Sequence, residues 1–290
     1  MLKLGVLCSG NLGLSVLEYS FNNYEIGFIL TDRKSKDILK FALDNNVPCF
    51  SGNPRNGKAY NFIKNIEVDV IASVNYLFLI EEDIINHSKK VTFNIHGSLL
   101  PKYRGRTPHV WSIINGEKET GVTAHLIDPE CDTGEIIYQE KVEINENETG
   151  ADILDKYKKL YIPLFDKVLH LIINDTIETF PQDESKASFY GKRTPEDGEI
   201  NWCWNKEDIR NWVRAQAYPY PGAFSFFDNQ KIIIDRVSVK EGGASFEEGT
   251  ILSVKPKISV KARNGVVVLE EIRTKNNIFE IDKKFKNENR

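Results

Sequence analysis

The sequence predicts an α/β chain in which a predominantly parallel, doubly wound sheet is followed by a small β-barrel. Three observations carry that expectation. The chain opens with an apolar strand over residues 2–8, a glycine turn (Ser9-Gly10-Asn11-Leu12-Gly13) and an apolar periodic stretch over 14–19, the first unit of a doubly wound sheet. Strand-like and helix-like segments then alternate as far as Val74. Beyond Tyr218 the pattern changes to short strands at regular spacing, which reads as a small barrel.

The elements follow in order. Residues 25–31 form strand two, 36–45 a short helix, 48–50 a brief strand and 58–65 a helix. Residues 68–74 read as a central strand buried on both faces. Its exit, Asn75-Tyr76-Leu77-Phe78-Leu79-Ile80, is unusually apolar for a loop at a sheet edge. It reads either as core packing under a helix starting near Glu81 or as a slot for a flat heterocycle. Residues 91–93 end another strand, and Thr107 and Pro108 open a helix over 108–115 as N-cap and first helical position. A strand over 120–128, with Val122, Ala124 and Leu126 on one face, turns through 129–134 into a strand over 135–144. Thr149 caps a long helix whose apolar stripe runs from Ile153 to Ile172. Residues 174–188 lose periodicity and read as a linker. A helix over 205–215 precedes strands over 223–227, 231–239, 249–254, 257–262 and 266–272, and the charged tail from Lys283 is expected to fray.

The 290 residues leave room for one large or two modest domains. A formal net charge of −4 without a long basic tract carries no electrostatic footprint for nucleic acid. The apolar run at the amino terminus is too short for a signal peptide and no run approaches membrane-spanning length, so a cytoplasmic protein without membrane contact is expected. Cys8, Cys49, Cys131 and Cys203 lack paired spacing and read as free thiols. No paired histidines at helical spacing accompany them, so no metal site is expected.

The stretch 93–108 concentrates the chemistry. Alternate residues of an extended chain point the same way, so Asn94 and His96 project together from the C-terminal end of a strand, where open α/β sheets place their ligands. An amide donor beside an imidazole suits acyl transfer: one stabilises a developing oxyanion, the other moves a proton. Gly97 and Pro101 force a turn. Lys102, Arg104 and Arg106 then place three cations in five residues ahead of a helix, which suits a phosphate or carboxylate or else forms a solvated charged loop. Asp132, at the tip of the turn 129–134, reads by itself as a turn-former. The turn at Ser9, Gly10 and Asn11 lacks the full dinucleotide fingerprint, so no nicotinamide cofactor is expected there, while a backbone approach to another ligand stays open.

Together, Asn94-Ile95-His96-Gly97-Ser98-Leu99-Leu100-Pro101-Lys102-Tyr103-Arg104-Gly105, the segments 111–117 and 120–123, and Asp132-Thr133-Gly134 resemble the 10-formyltetrahydrofolate-dependent formyltransferases. The resemblance covers most of the chain. It implies a Rossmann-like catalytic domain over 1–185, a linker over 186–204 and an OB-like β-barrel domain over 205–290. It also implies a catalytic trio of Asn94, His96 and Asp132. Segments 189–198, 211–215 and 219–224 are similar to the sugar nucleotide formyltransferases, in particular the formyltransferase half of the enzyme that modifies 4-amino-4-deoxy-arabinose for lipid A. Methionyl-tRNA formyltransferase shares the central motif, but it depends on many phosphate contacts, whereas here the loop 32–36 is short and the chain acidic.

The chain ends at Arg290 without a decarboxylase half, so the resemblance implies a stand-alone enzyme acting on another nucleotide-linked amino sugar, best dTDP-4-amino-4,6-dideoxyglucose, for surface polysaccharide biosynthesis. The implied formyl donor is 10-formyltetrahydrofolate, held by Leu77, Phe78, Leu79, Ile80, Asp128 and Glu130. The sugar nucleotide is expected to meet Ser9, Gly10, Asn11, Lys102, Arg104, Arg106 and Arg193, with Tyr218, Tyr220 and Phe224 stacking on its base; a purely structural Pro-Tyr-Pro turn is the alternative for those aromatics. A homodimer is implied by resemblance. The rival class is a non-catalytic folate or sugar nucleotide sensor, which has no need of all three members of the trio.

Overall fold

A computed structural model describes residues 2–243, 245–273 and 278–286. In chain order the elements are β1 (Lys3–Cys8), α1 (Gly10–Asn23), β2 (Glu25–Thr31), α2 (Lys36–Asp44), β3 (Cys49–Ser51), α3 (Lys58–Ile63), β4 (Val70–Val74), α4 (Glu82–Ile85), β5 (Val91–His96), β6 (Arg104–Gly105), α5 (Pro108–Ile114), β7 (Glu119–Leu126), β8 (Ile136–Glu143), α6 (Gly150–Ile173), β9 (Phe189–Tyr190), α7 (Lys206–Ala215), β10 (Ala223–Phe227), β11 (Gln230–Lys240), β12 (Ile251–Ser253), β13 (Ser259–Ala262) and β14 (Gly265–Ile272). They form two compact units. The first comprises Met1–Gly105, Gly121–Val142 and Lys156–Tyr190, the second Arg106–Thr120, Glu143–Asp155 and Gly191–Arg290.

The first unit is built on a seven-stranded sheet of order β3-β2-β1-β4-β5-β7-β8. The ladders among β3, β2, β1, β4 and β5 are parallel, and β7 runs antiparallel to β5. The expected central strand is completely buried, as its unbroken apolar run requires when both faces are covered. On one face Leu7, Phe28 and Ile71 cluster with Ala59 and Ile63 of α3 and Ile84 of α4. Phe93 is one residue out of phase with Asn94 on β5 and meets Phe165 of α6 at 5.9 Å between ring centroids. Helices α1 and α6 are tied together by Tyr19 and Tyr24, which both donate to Asp166 Oδ1, at 2.6 and 2.9 Å. The strand order reverses at β1 and β4, and the crevice outside their C-terminal ends is where such sheets bind ligands.

The second unit carries a five-stranded antiparallel sheet of order β10-β11-β14-β13-β12. Ile209 and Val213 of α7 share a core with Trp202, Phe227, Ile251 and Phe285. Here the structure corrects an expectation. The tail from Lys283 is not frayed as far as Lys286: Lys286 bridges Phe226 of β10 while Lys284 bridges Thr250 beside β12, so the tail spans the two edge strands of the sheet. Phe285 is the reason, since its ring is buried against Trp202 and Phe227 and anchors an otherwise charged segment. Residues 287–290 of that tail lie outside the described residues.

Two further corrections concern local structure. Thr107 does not cap α5 through its side chain; it sits at φ +48 without a capping hydrogen bond, while Pro108 does occupy the start of the helix. Residues 174–188 are not an idle linker. Phe180 bridges Ile136, and Ser188 accepts from the Arg104 backbone, bringing β9 beside β6. All four cysteines are free. No helix among the described residues is long and apolar enough to cross a membrane.

Candidate active site

The β5–β7 ladder assembles the site. Asn94 pairs with His125 and His96 with Thr123, so these four side chains share one face of the sheet. The Asn94 amide donates through Nδ2 to His125 Nε2 at 3.1 Å. The other ring nitrogen of His125 donates to the Leu126 carbonyl at 2.7 Å, which leaves Nε2 as the acceptor. His96 is buried and its Nε2 donates to the Tyr103 carbonyl at 2.8 Å, so its Nδ1 carries the lone pair.

Asp132 faces both rings. Its Oδ1 lies 3.6 Å from His96 Nδ1 and 3.7 Å from His125 Nε2. Its Oδ2 accepts from the Gly105 backbone N–H at 2.8 Å and from the Cys131 thiol at 3.4 Å. Burial pushes the Asp132 carboxyl up, but the two imidazoles, the Gly105 N–H and the Cys131 thiol together outweigh it and hold the group below the usual carboxylate range. Burial does the opposite to His125, lowering it to about 4 against the smaller pull of Asp132. The cluster therefore pairs an ionised carboxylate with a neutral second imidazole near pH 7.

The backbone is shaped for this convergence. Gly134 lies so close to the Leu126 backbone that a Cβ there would come 1.9 Å from the Leu126 carbonyl oxygen. Gly105 sits at φ +98, where a Cβ would come 2.3 Å from the Tyr190 carbonyl oxygen. Between His96 and Tyr103 the turn is tied down by the Ser98 hydroxyl, which donates to the Lys102 carbonyl, and by Thr123 Oγ1, which donates to the Ser98 carbonyl at 2.6 Å. Gln139 Nε2 donates to both Thr123 Oγ1 and the Leu100 carbonyl at 2.9 Å.

The other expected site residues divide. Ser9, Gly10 and Asn11 line a cavity of about 290 Å³ at the C-terminal ends of β1, β2 and β4, together with Lys34, Ser35 and Asn75. The apolar loop after β4 splits between its two readings. Tyr76 and Ile80 pack on the core and Phe78 sits against Tyr76, whereas Leu77 and Leu79 are 38% and 47% exposed. Asp128 accepts from the Thr133 hydroxyl at 2.6 Å and so holds the turn; Glu130 lines a second cavity, of about 350 Å³, with Arg104, Cys131 and Thr133.

Lys102 and Arg106 are exposed, but Arg104 is not a free phosphate contact. It is buried, forms a two-bond pair with Glu184 (2.9 and 2.6 Å) and donates twice more to Gln182 Oε1, so its charge is committed within the protein. Phe224 is also corrected: it is 2% exposed and offers no face to a nucleotide base. In the same unit Tyr218 is 75% exposed, and Tyr220 shares a hydrogen bond with His109 at 2.9 Å. Arg193 lies over the Trp111 and Trp212 rings, 5.0 and 4.2 Å from their centroids, and donates to the Asp197 carbonyl and Gln216 Oε1. Sequence reasoning missed His125. The signal was present, because the alternation that turns Val122, Ala124 and Leu126 one way turns Thr123 and His125 the other. Among the described residues no group of three or more His, Cys, Asp or Glu side chains is arranged to hold a metal ion.

Comparison with known proteins places this geometry. The formyl transferase profile matches residues 30–169, and the formyl transferase C-terminal domain profile matches residues 192–287. The bifunctional polymyxin resistance protein ArnA of Wigglesworthia glossinidia brevipalpis is 35% identical over 93% of this chain; the chain spans 42% of that relative's length. Among solved structures, WlaRD, a sugar 3N-formyl transferase crystallised in the presence of dTDP and 5-N-formyl-THF, is 26% identical. It covers 95% of this chain and 99% of its own, with a TM-score of 0.74. The N-formyltransferase of Helicobacter canadensis, in complex with folinic acid and dTDP-3-aminofucose, shares the fold at 23% identity, with 94% and 100% of the chains covered and a TM-score of 0.73. With both profiles matched along its length, the chain belongs to the formyl transferase family.

Proposed function

We propose that the protein transfers the formyl group of 10-formyltetrahydrofolate to the amino group of a nucleotide-linked amino-deoxy sugar, best dTDP-4-amino-4,6-dideoxyglucose. The observation that carries this reading is the convergence of Asn94, His96 and Asp132 at one sheet face, with Asp132 Oδ1 3.6 Å from His96 Nδ1. The likeness to WlaRD over 99% of that chain supports a sugar nucleotide as acceptor. The net charge of −4 supports the same choice over a tRNA acceptor.

The folate supplies an activated formyl carbon. The exposed Leu77 and Leu79 offer it apolar surface beyond β4, and the turn Asp128–Asp132 offers polar edges. The sugar nucleotide is assigned to Ser9, Gly10 and Asn11, with Lys102, Arg106 and Arg193 as cations and Tyr218 as the aromatic surface.

The roles follow from which atoms are already engaged. His96 Nε2 donates to Tyr103, so the proton lost by the attacking amine is accepted at Nδ1, where Asp132 Oδ1 stabilises the imidazolium. As the tetrahedral intermediate collapses, the bond from the formyl carbon to the folate nitrogen breaks, that nitrogen takes the proton back, and tetrahydrofolate leaves. One hydrogen of the Asn94 amide is held by neutral His125, which fixes the amide's orientation; the other serves the developing oxyanion. Residues 1–185 are assigned the chemistry and 205–290 a supporting and dimer-forming domain, in a cytoplasmic enzyme of surface polysaccharide synthesis. Product mass spectrometry tests the reading. The protein is mixed with 10-formyltetrahydrofolate and a panel of dTDP-4-amino-4,6-dideoxyglucose, its 3-amino isomer, UDP-4-amino-arabinose and initiator methionyl-tRNA. One formyl group gained on a single sugar nucleotide is expected; formylated tRNA alone overturns it.

A further inference from the structure

We propose that Gln182, in the segment that reads as a linker, is a positioning residue for Asp132. The inference rests on the catalytic reading above. Asp132 stands at φ +58, in the left-handed region that L-residues adopt uncommonly and Asp more readily than most. Besides the Gly105 N–H on its side chain and the Asp128–Thr133 bond, a carboxamide holds the turn through its backbone. Gln182 Nε2 donates to the Asp132 carbonyl at 2.9 Å and to the Gly134 carbonyl at 2.7 Å, closing a clamp across the turn.

The orientation of that carboxamide is itself determined. Its oxygen accepts from Arg104 Nε at 3.2 Å and Nη2 at 2.8 Å, and Arg104 is held in turn by both carboxylate oxygens of Glu184. A flipped amide would set its N–H groups against a guanidinium, so the nitrogen faces the turn. The same segment steadies the other half of the pair. Ser188 Oγ accepts from the Tyr103 backbone N–H at 2.9 Å, and the Tyr103 carbonyl is the partner of His96. Residues 182–188 thus steady both the carboxylate and the imidazole of the reacting pair, through the backbone carbonyl of Asp132 and the backbone of Tyr103. A clamp of this kind sets the distance between Asp132 and His96, on which the rate depends more steeply than substrate binding does.

The test compares wild type with Gln182→Leu, which removes the clamp and the Arg104 acceptor. Kinetically, kcat is expected to fall about 10- to 100-fold with both KM values within about threefold. In an Asp132→Asn background the same change is expected to cost less than about twofold, because it acts through Asp132. The second readout needs no formyl transfer: the ring signals of the five histidines at one pH. Those of His96 and His125, which face Asp132, are expected to move while those of His87, His109 and His170 stay. If all five signals collapse, the variant has not folded and Gln182→Glu decides in its place, since it keeps the Arg104 pairing but presents oxygen to the two carbonyls. Retained kcat with unmoved His96 and His125 signals overturns the proposal, as does an equal loss in the Asp132→Asn background. The ring response in Gln182→Leu together with a wild type that formylates nothing overturns the proposed function and leaves the clamp standing.

Discussion

The end of β5 and the segment from Tyr218 into β10 carry predictions of the same kind, but the structure gathers the residues of the first and scatters those of the second. At the end of β5, Asn94, His96 and Asp132 converge within hydrogen-bonding or near-contact range of one another or of His125. At the turn, Tyr218 is exposed, Tyr220 is bonded to His109 and Phe224 is buried in the second unit. In the first set Asn94 and His96 were argued from strand alternation, which the ladder preserves, and Asp132 from the family resemblance. The second was argued from residue type alone, and an aromatic side chain fits a core as well as it fits a ligand.

That contrast can be broken by substitution. The largest effect is expected for Asn94→Ala, which removes the proposed oxyanion donor: kcat falls by about 10²- to 10³-fold in steady-state assays with KM little changed. Full turnover in that variant would dissolve the distinction between the two regions. Phe224→Ala comes next, and its effect is on stability. Emptying a fully packed aromatic site costs about 3–5 kcal/mol in denaturant unfolding, without singling out either substrate's KM. A selective rise in the sugar nucleotide's KM at unchanged stability would return Phe224 to the binding set.

His125 sharpens the comparison through pH. Burial lowers its pKa to about 4 in the folded protein, against about 6.5 in the unfolded chain. Between those values the unfolded chain binds a proton that the folded one does not, so stability falls as pH drops from about 6.5 to 4. His125→Gln removes that titration, and the slope of unfolding free energy against pH should flatten over this window, by at most about 3 kcal/mol in total. Asp132 behaves differently: its depressed carboxyl contributes stability above the unfolded value of about 4 and loses it only at lower pH. The smallest effect is expected for Tyr218→Ala, with stability changed by no more than about 0.5 kcal/mol. Loss of a stacking surface should raise the sugar nucleotide's KM about two- to tenfold; no change there would leave the turn purely structural.

The sheet was legible because its strands are continuous apolar runs and its helices follow glycine turns; β2, for instance, begins and ends where its composition does. Of the cluster at Asn94, Asn94 and His96 were legible from strand alternation, Asp132 only from the family resemblance, and His125 was missed. What stayed hidden depends on partners distant in sequence. Nothing near Arg104 announces Glu184, 80 residues away, so a buried arginine committed to an exposed glutamate read as a ligand contact. Nothing in residues 174–188 shows periodicity, because that segment is held by side-chain bonds to turns and not by a face of its own. The charged tail masked Phe285, a single apolar residue whose burial sets the path of the segment around it.

The most direct test of the account is single-turnover formyl transfer by wild type and His96→Asn, with saturating formyl donor and the sugar nucleotide found by mass spectrometry. Removing the proposed base at Nδ1 should slow the chemical step by about 10²- to 10⁴-fold while binding of the nucleotide, followed separately, stays within about threefold. A single-turnover rate within a few-fold of wild type would contradict the assignment of proton transfer to His96 and, with it, the claim that the β5 cluster is the seat of the chemistry.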